Sequence, residues 1–350
     1  MGGREDAQPR GAGEAAGNGR PVLAITVGDP CGIGGEVVLK ALADERLAGG
    51  ARLLVLGDEG HLRRVARELR LKWPFGAVVK GPPSGRRWER PQLLDLGNVP
   101  EGLLPGQVSA AAGRAAGEAI ERAVALAMDG IVDGIVTGPI HKEALSLAGY
   151  TDPGHTEMLA RLTGTKQVGM MFWAPSLAVG LLTTHLSLRE AIRKVRRARI
   201  VRMLRLFDRE WRRFFGAPPR IAVAGLNPHA GEHGRFGVEE LEELVPAIEE
   251  ASDKGVGASG PWPADTIFQR ALAGEFDLVL ALYHDQGTIP VKVACGHEAV
   301  NVTVGLPFVR TSVDHGTAMD IAGKGVASAE SLVAAVLAAA RLAAPPSRQE

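Results

Sequence analysis

Residues 276–287, Phe-Asp-Leu-Val-Leu-Ala-Leu-Tyr-His-Asp-Gln-Gly, leave few folds open. The stretch begins as an apolar run of strand length and breaks off at Tyr283-His284-Asp285-Gln286-Gly287. A run this apolar has the composition of a strand buried on both faces, as in parallel sheets covered by helices. In open α/β sheets ligands bind at the carboxyl ends of strands. The pattern recurs. Residues 131–136 run into Thr137-Gly138-Pro139-Ile140-His141-Lys142, 177–182 into Thr183-Thr184-His185, and 221–224 into Gly225-Leu226-Asn227-Pro228-His229-Ala230-Gly231. One such histidine is most often a satisfied core residue. Four at equivalent positions predict a parallel sheet that gathers them along one edge.

The first strand, 22–27, opens into Gly28-Asp29-Pro30-Cys31-Gly32-Ile33-Gly34 and a helix from about residue 37. Strand, glycine loop and helix N-terminus can hold an anion. The dinucleotide fingerprint is absent, because after Gly32-x-Gly34 it needs a third glycine where Val37 stands. A tight turn with glycines at positive φ is an equally good reading. Residues 168–173 and 177–182 are joined too closely to be parallel, so the sheet is predicted to be mixed. An Ala-rich helix over 109–128 carries Gly113 and Gly117 one turn apart, a spacing that suits close helix packing.

At 350 residues and 45% hydrophobic content, the chain can bury one large or two ordinary domains. Forty basic and forty acidic residues cancel, which argues against nucleic acid or an anionic membrane as partner. No apolar run approaches the roughly 20 residues of a membrane span. Cys31 and Cys295 alone make no disulfide framework and fit a reducing, cytoplasmic setting. Residues 1–20 are rich in Gly, Ala, Glu and Arg, lack the apolar core of a secretion signal, and are expected to form a disordered tail.

Neutral imidazole is the commonest metal ligand, and three histidines with an open position suit catalytic zinc while admitting six-coordinate metals. His155, His229 and His284 are the candidates. Each sits in a glycine-flanked turn with Glu157, Glu232 or Asp285 nearby in sequence to orient the ring. Lys142, Lys292, Asn301 and Arg310 are candidates for holding an anion, Arg310 most of all, because it stands between Pro307-Phe308-Val309 and Thr311-Ser312. The residues do not fix a proton acceptor; His141 and Asp265 are the candidates for one in the reaction that the resemblance below implies, and Asp265 could equally cap the helix that follows it or steady a ligand as an outer carboxylate.

Several motifs are long and distinctive: Gly28-Asp-Pro-x-Gly-Ile-Gly, Thr137-Gly-Pro-Ile-His-Lys, Gly154-His-Thr-Glu, Leu226-Asn-Pro-His-Ala-Gly-Glu, Pro263-Ala-Asp-Thr, Tyr283-His-Asp-Gln-Gly and Pro307-Phe-Val-Arg-Thr-Ser-Val-Asp-His-Gly-Thr. In this order they resemble the 4-hydroxythreonine-4-phosphate dehydrogenase family over about residues 21–343. The resemblance implies NAD- or NADP-dependent oxidation of 4-phosphooxy-L-threonine, then decarboxylation to 3-amino-2-oxopropyl phosphate, in pyridoxal phosphate biosynthesis. A sister group oxidises D-threonate or D-erythronate 4-phosphate. The implied fold is α/β and isocitrate/isopropylmalate dehydrogenase-like, with two domains about a cleft. On this chain that division places residues 21–138 and 306–345 in the first domain and 139–305 in the second. The resemblance puts metal ligands on His155, His229 and His284, for zinc, magnesium or cobalt, and substrate contacts on His141, Lys142, Lys292, Asn301 and Arg310. It also implies a homodimer whose active site borrows residues across the interface. Cys31 and Gly35 depart from the family's usual Ala and Pro.

Two rivals fit the residues taken alone. A metal-dependent hydrolase would also use three histidines and no dinucleotide fingerprint. A non-catalytic phosphate-binding protein would keep its ligand affinity without His229.

Overall fold

Residues 19–83 and 85–345 are described by the computed structural model, so most of the expected N-terminal tail, 1–18, lies outside the described residues. Twelve strands form one mixed sheet: β1 (Val22–Thr26), β2 (Arg52–Gly57), β3 (Ala77–Val79), β4 (Gln92–Asp95), β5 (Gly134–Thr137), β6 (Gly169–Ala174), β7 (Leu177–Leu181), β8 (Ile221–Ala224), β9 (Ala258–Trp262), β10 (Leu278–Ala281), β11 (Val300–Val304) and β12 (Val309–Ser312). Their order is β3-β4-β2-β1-β5-β12-β11-β6-β7-β10-β8-β9. Every residue of β1, β2, β5, β7, β8, β10 and β12 is buried; for all but β12, which is Val-Arg-Thr-Ser, a largely apolar composition predicts this in a sheet covered on both faces.

The helices are α1 (Gly34–Ala41), α2 (Glu59–Glu68), α3 (Ala110–Met128), α4 (Lys142–Leu147), α5 (His155–Leu162), α6 (Leu188–Lys194), α7 (Arg197–Phe215), α8 (Val245–Asp253), α9 (Ala264–Leu272), α10 (His284–Cys295) and α11 (Glu330–Ala343). Two differences from the sequence reading matter for the site. The Tyr-His-Asp-Gln-Gly turn does not continue as loop: α10 starts at His284 itself and carries Lys292. His155, too, is helical rather than part of a loop: Gly154 is the N-cap of α5 and His155 its first residue.

The sheet contains two parallel blocks that run in opposite directions. From β3 to β12 all pairings are parallel, and so are those from β7 to β9. Between the blocks, β12–β11, β11–β6 and β6–β7 are antiparallel, the last being the expected tight hairpin. Three reversals turn the second block end for end. His185, His229 and His284 therefore follow the ends of adjacent parallel strands β7, β8 and β10, but His141, after β5, stands at the opposite edge. The expectation that all four share one edge is corrected by those reversals.

One face of the sheet packs against a continuous apolar layer from α1, α7, α8 and α11. On the other face the apolar layer is split. One cluster, with α3 and α5, covers β1, β2 and β5; another, with α9 and α10, covers β6, β7, β8 and β10. Between them the strands turn polar side chains outward. Thr137 pairs with Ser312, Ile135 with Arg310, Arg310 with Thr303 and Ser312 with Asn301, so by two-residue alternation Thr137, Ser312, Arg310, Thr303 and Asn301 share the face left open.

Candidate active site

That gap is a cleft of about 650 Å³. Its floor is the polar stripe across β5, β12 and β11, its near wall the segment around α4 and α5, and its far end Thr184, His185 and Arg199. The candidate site is thus over the face of the sheet at its seam, not solely at strand ends.

Arg310 dominates the floor. It is 2% exposed, and its guanidinium donates to the Thr303 and Thr137 hydroxyls at 2.8 and 2.7 Å. No carboxylate pairs with it among the described residues, and its Nε has no partner. Burial pushes its pKa down to about 10, against the opposing pull of Glu157, so at neutral pH it remains a cation. A buried cation without a counterion is expensive unless a ligand supplies the charge. Asn301, beside it, has a buried and unpartnered Oδ1.

His155 lines the same cleft, with its Nε2 buried and unpartnered. Burial, then the Arg310 charge, hold its pKa well below the ordinary histidine range, so it presents a neutral imidazole. Lys142 and Glu157 complete this wall. The wall is set by α3. A Cβ on Gly113 would lie 2.0 Å from the Ala144 carbonyl oxygen, and one on Gly117 would lie 2.2 Å from the Tyr150 ring, so both glycines let α4 and its following turn lie against α3. The Gly28 loop works likewise. Gly28 has φ +83°, and its Cα faces the Pro139 carbonyl so closely that a Cβ would come within 2.2 Å. Of the two readings of that loop, these contacts are those of a packing turn. Its Asp29 is fully buried, accepts from the Cys31 amide at 2.8 Å, and leaves Oδ2 unpartnered. Burial raises its pKa, opposed by that amide and then by His141.

His141 caps α4, its Nδ1 accepting a long 3.4 Å hydrogen bond from the Ala144 amide. Asp265 lies exposed in the first turn of α9 and caps nothing. Lys292, on α10, pairs with Asp314 at 3.0 Å. Neither His141, Asp265 nor Lys292 lines the cleft of the single chain.

At the second block's strand ends, His284 Nδ1 bonds the Asp285 carboxylate at 2.7 Å, which orients the ring and leaves Nε2 to act as a ligand. Gln286 and Gly287 explain the rest of that motif. Gln286 accepts from the Leu282 amide and donates to the Gly225 carbonyl, tying the helix to two strand ends, and a Cβ on Gly287 would lie 2.6 Å from Leu181 Cδ2. The His185 ring centroid is 5.5 Å from that of His284. His229 sits in a left-handed helical turn: His229, Ala230, Gly231, Glu232 and His233 have φ of 54, 53, 81, 41 and 56°. The turn is anchored by Glu240, 2% exposed, whose carboxylate accepts from the Leu226 and Asn227 amides at 2.8 and 2.7 Å and from Asn227 Nδ2 at 2.8 Å.

The cleft of a single chain therefore brings together His155, Lys142, Asn301 and Arg310. His229 and His284 lie outside its lining, and among the described residues no three His, Cys, Asp or Glu side chains of one chain gather into a metal-holding group. Sequence reading passed over Thr137, Thr303, Arg199 and Glu240. The hydroxyls were legible only through strand register, and nothing local marked the other two.

A family model described as "Pyridoxal phosphate biosynthetic protein PdxA" matches residues 50–339. The chain is 49% identical to a D-threonate 4-phosphate dehydrogenase of Cupriavidus necator, over 92% of this chain and 97% of that one. It is 42% identical to a 4-hydroxythreonine-4-phosphate dehydrogenase of Geobacter metallireducens, over 93% and 96%. The crystal structure of a 4-hydroxythreonine-4-phosphate dehydrogenase from Klebsiella pneumoniae superposes with a TM-score of 0.87 at 43% identity, covering 93% of this chain and 98% of that one.

Proposed function

The chain belongs to the PdxA family of pyridoxal phosphate biosynthetic proteins, and from that membership we propose that it oxidises the secondary hydroxyl of a four-carbon hydroxy-acid 4-phosphate with NAD or NADP. The two substrates named for its relatives, 4-phosphooxy-L-threonine and D-threonate 4-phosphate, share a phosphate, a carboxylate and a hydroxyl between them. Hydride leaves the carbinol carbon for the nicotinamide and the hydroxyl proton leaves for a base. The resulting β-keto acid then loses carbon dioxide.

The observation that carries this reading is Arg310, a buried cation held by two threonine hydroxyls at the floor of a cleft, with no carboxylate paired to it among the described residues. Its fork suits a phosphate or carboxylate oxygen pair, and Asn301 and Lys142 add donors from floor and wall. Together they fix the carbinol carbon for transfer. Neutral His155 fits a metal-ligand role, as do the free Nε2 of Asp285-oriented His284 and the ring of His229 on its anchored turn. A divalent cation held by these three would lower the pKa of the substrate hydroxyl and favour loss of carbon dioxide.

The three histidines would meet across a homodimer, with a second copy carrying its own His229 and His284 to this cleft. Exposed apolar side chains near those residues support that assembly. Val293 is 83% exposed and Ile289 60%, one turn apart on α10, and Phe236 packs by His229 while remaining 45% exposed. His141 and Asp265 are the proposed proton acceptors. Two buried free cysteines, and the absence among the described helices of any long and apolar enough to cross a membrane, are compatible with a cytoplasmic enzyme.

The test is absorbance at the reduced-nicotinamide band with protein, a divalent metal, NAD or NADP, and each of the two hydroxy-acid phosphates. Growth of the band is expected with at least one. Release of inorganic phosphate without cofactor would sink this reading in favour of a hydrolase.

A further inference from the structure

Building on that dehydrogenase reading, we infer that Arg199 is a specificity-determining residue, and that it selects a substrate bearing a hydroxyl rather than an ammonium on the carbon next to the carboxylate.

The geometry begins with α7, which sets Arg199 half-buried on the cleft wall beyond the sheet seam. Nε and Nη2 both donate to the Leu182 carbonyl, at 3.1 and 2.9 Å, just past the end of β7. That double contact to one oxygen holds the plane of the guanidinium, while Nη1 makes no hydrogen bond among the described residues. No carboxylate pairs with Arg199 among them either, so its charge is uncompensated.

The cleft as a whole has the same imbalance. Among the described residues Arg199, Arg310 and Lys142 line it against a single carboxylate, Glu157, which already faces Arg310. The two relatives' substrates differ at one group. The amino acid phosphate carries an ammonium, which has only N–H donors; the sugar acid phosphate carries a hydroxyl, which can accept. A guanidinium has donors only. Beside a hydroxyl, Nη1 gains an acceptor and no repulsion. Beside an ammonium, donor faces donor and like charge faces like charge, in a cleft whose one carboxylate is engaged. Discrimination by such a repulsive element is a common route to specificity.

The experiment compares kcat/KM for D-threonate 4-phosphate and 4-phosphooxy-L-threonine in the wild type, Arg199→Lys and Arg199→Met, each with metal and both nicotinamide cofactors. The wild type is expected to favour the sugar acid phosphate by about 100-fold or more. Arg199→Met should shrink that ratio at least about tenfold, by raising KM for the sugar acid and lowering it for the amino acid, whereas Arg199→Lys keeps the charge and most of the preference. Wild-type preference for the amino acid phosphate overturns the assignment whatever the variants do. So does an equal loss on both substrates in Arg199→Met, the signature of a residue that only props up Leu182. Should Arg199→Met fail to fold, the wild-type ratio and Arg199→Lys decide. Turnover of neither compound with either cofactor would overturn the dehydrogenase reading itself, and this assignment with it.

Discussion

Arg310 and His61 show opposite ways of burying a basic side chain. Arg310 stays charged and waits for an anion. Its removal is expected to separate function from stability: Arg310→Met should lower kcat/KM by about 100-fold or more, through loss of a bidentate anion contact, without lowering the melting temperature, because the buried charge goes too. Inorganic phosphate at millimolar concentration should raise the melting temperature of the wild type and leave that of the variant unchanged. His61, 7% exposed, is instead held neutral. Burial, and then the Arg64 charge, push its pKa from 6.5 to about 4, with Asp58 opposing. The unfolded chain takes up a proton as pH falls through 6.5 and the folded chain refuses it until about 4. Stability is therefore undiminished above pH 6.5 and falls with pH through that window, the loss reaching about 2 kcal/mol at pH 5. Melting curves at pH 7 and pH 5 should therefore show a smaller acid loss in His61→Leu than in the wild type. The sequence marked Arg310 through its apolar neighbours. It gave no sign of His61, whose burial depends on α2 packing against α1.

At the scale of elements, the turn bearing His229 is the costliest piece of backbone. A left-handed helix disfavours each L-residue by roughly 1–2 kcal/mol, so its four non-glycine residues carry on the order of 4–8 kcal/mol. Hydrogen bonds to a charged acceptor contribute roughly 1.5–3 kcal/mol each, and Glu240 accepts three from the start of the turn. The two sums are comparable, so Glu240 decides whether the turn persists. Glu240→Gln should destabilise the protein by about 2 kcal/mol in denaturant titration and weaken zinc binding in a chelator competition. Glu239→Gln, which loses one contact to Asn227 Nδ2, should do much less. The Asn-Pro-His-Ala-Gly-Glu motif reads as a loop with a histidine in it. Its handedness does not follow from composition, because only a distant buried carboxylate makes the strained conformation affordable.

The whole molecule joins two parallel blocks end for end across a short antiparallel seam, and the cleft lies over that seam. Within one chain the cleft holds His155 and Arg310, while His229 and His284 remain outside its lining, His229 against exposed Phe236 and His284 at the start of α10, which carries exposed Ile289 and Val293. Ile289→Glu with Val293→Glu is expected to leave circular dichroism unchanged, give a monomer by light scattering, and cut turnover about 100-fold or more. A dimeric double variant with full activity would remove α10 from the interface. Strand composition was enough for an α/β protein, the short connection after residue 173 for a mixed sheet, and the motifs for its family, because burial on both faces and glycine-dependent turns leave local marks. Which strands run backwards, that His141 stands at the opposite edge from His284, and that Thr137 and Thr303 cradle Arg310 were settled only by tertiary pairing. Strand direction and register arise from contacts between segments tens to hundreds of residues apart, and no local stretch of sequence carries them.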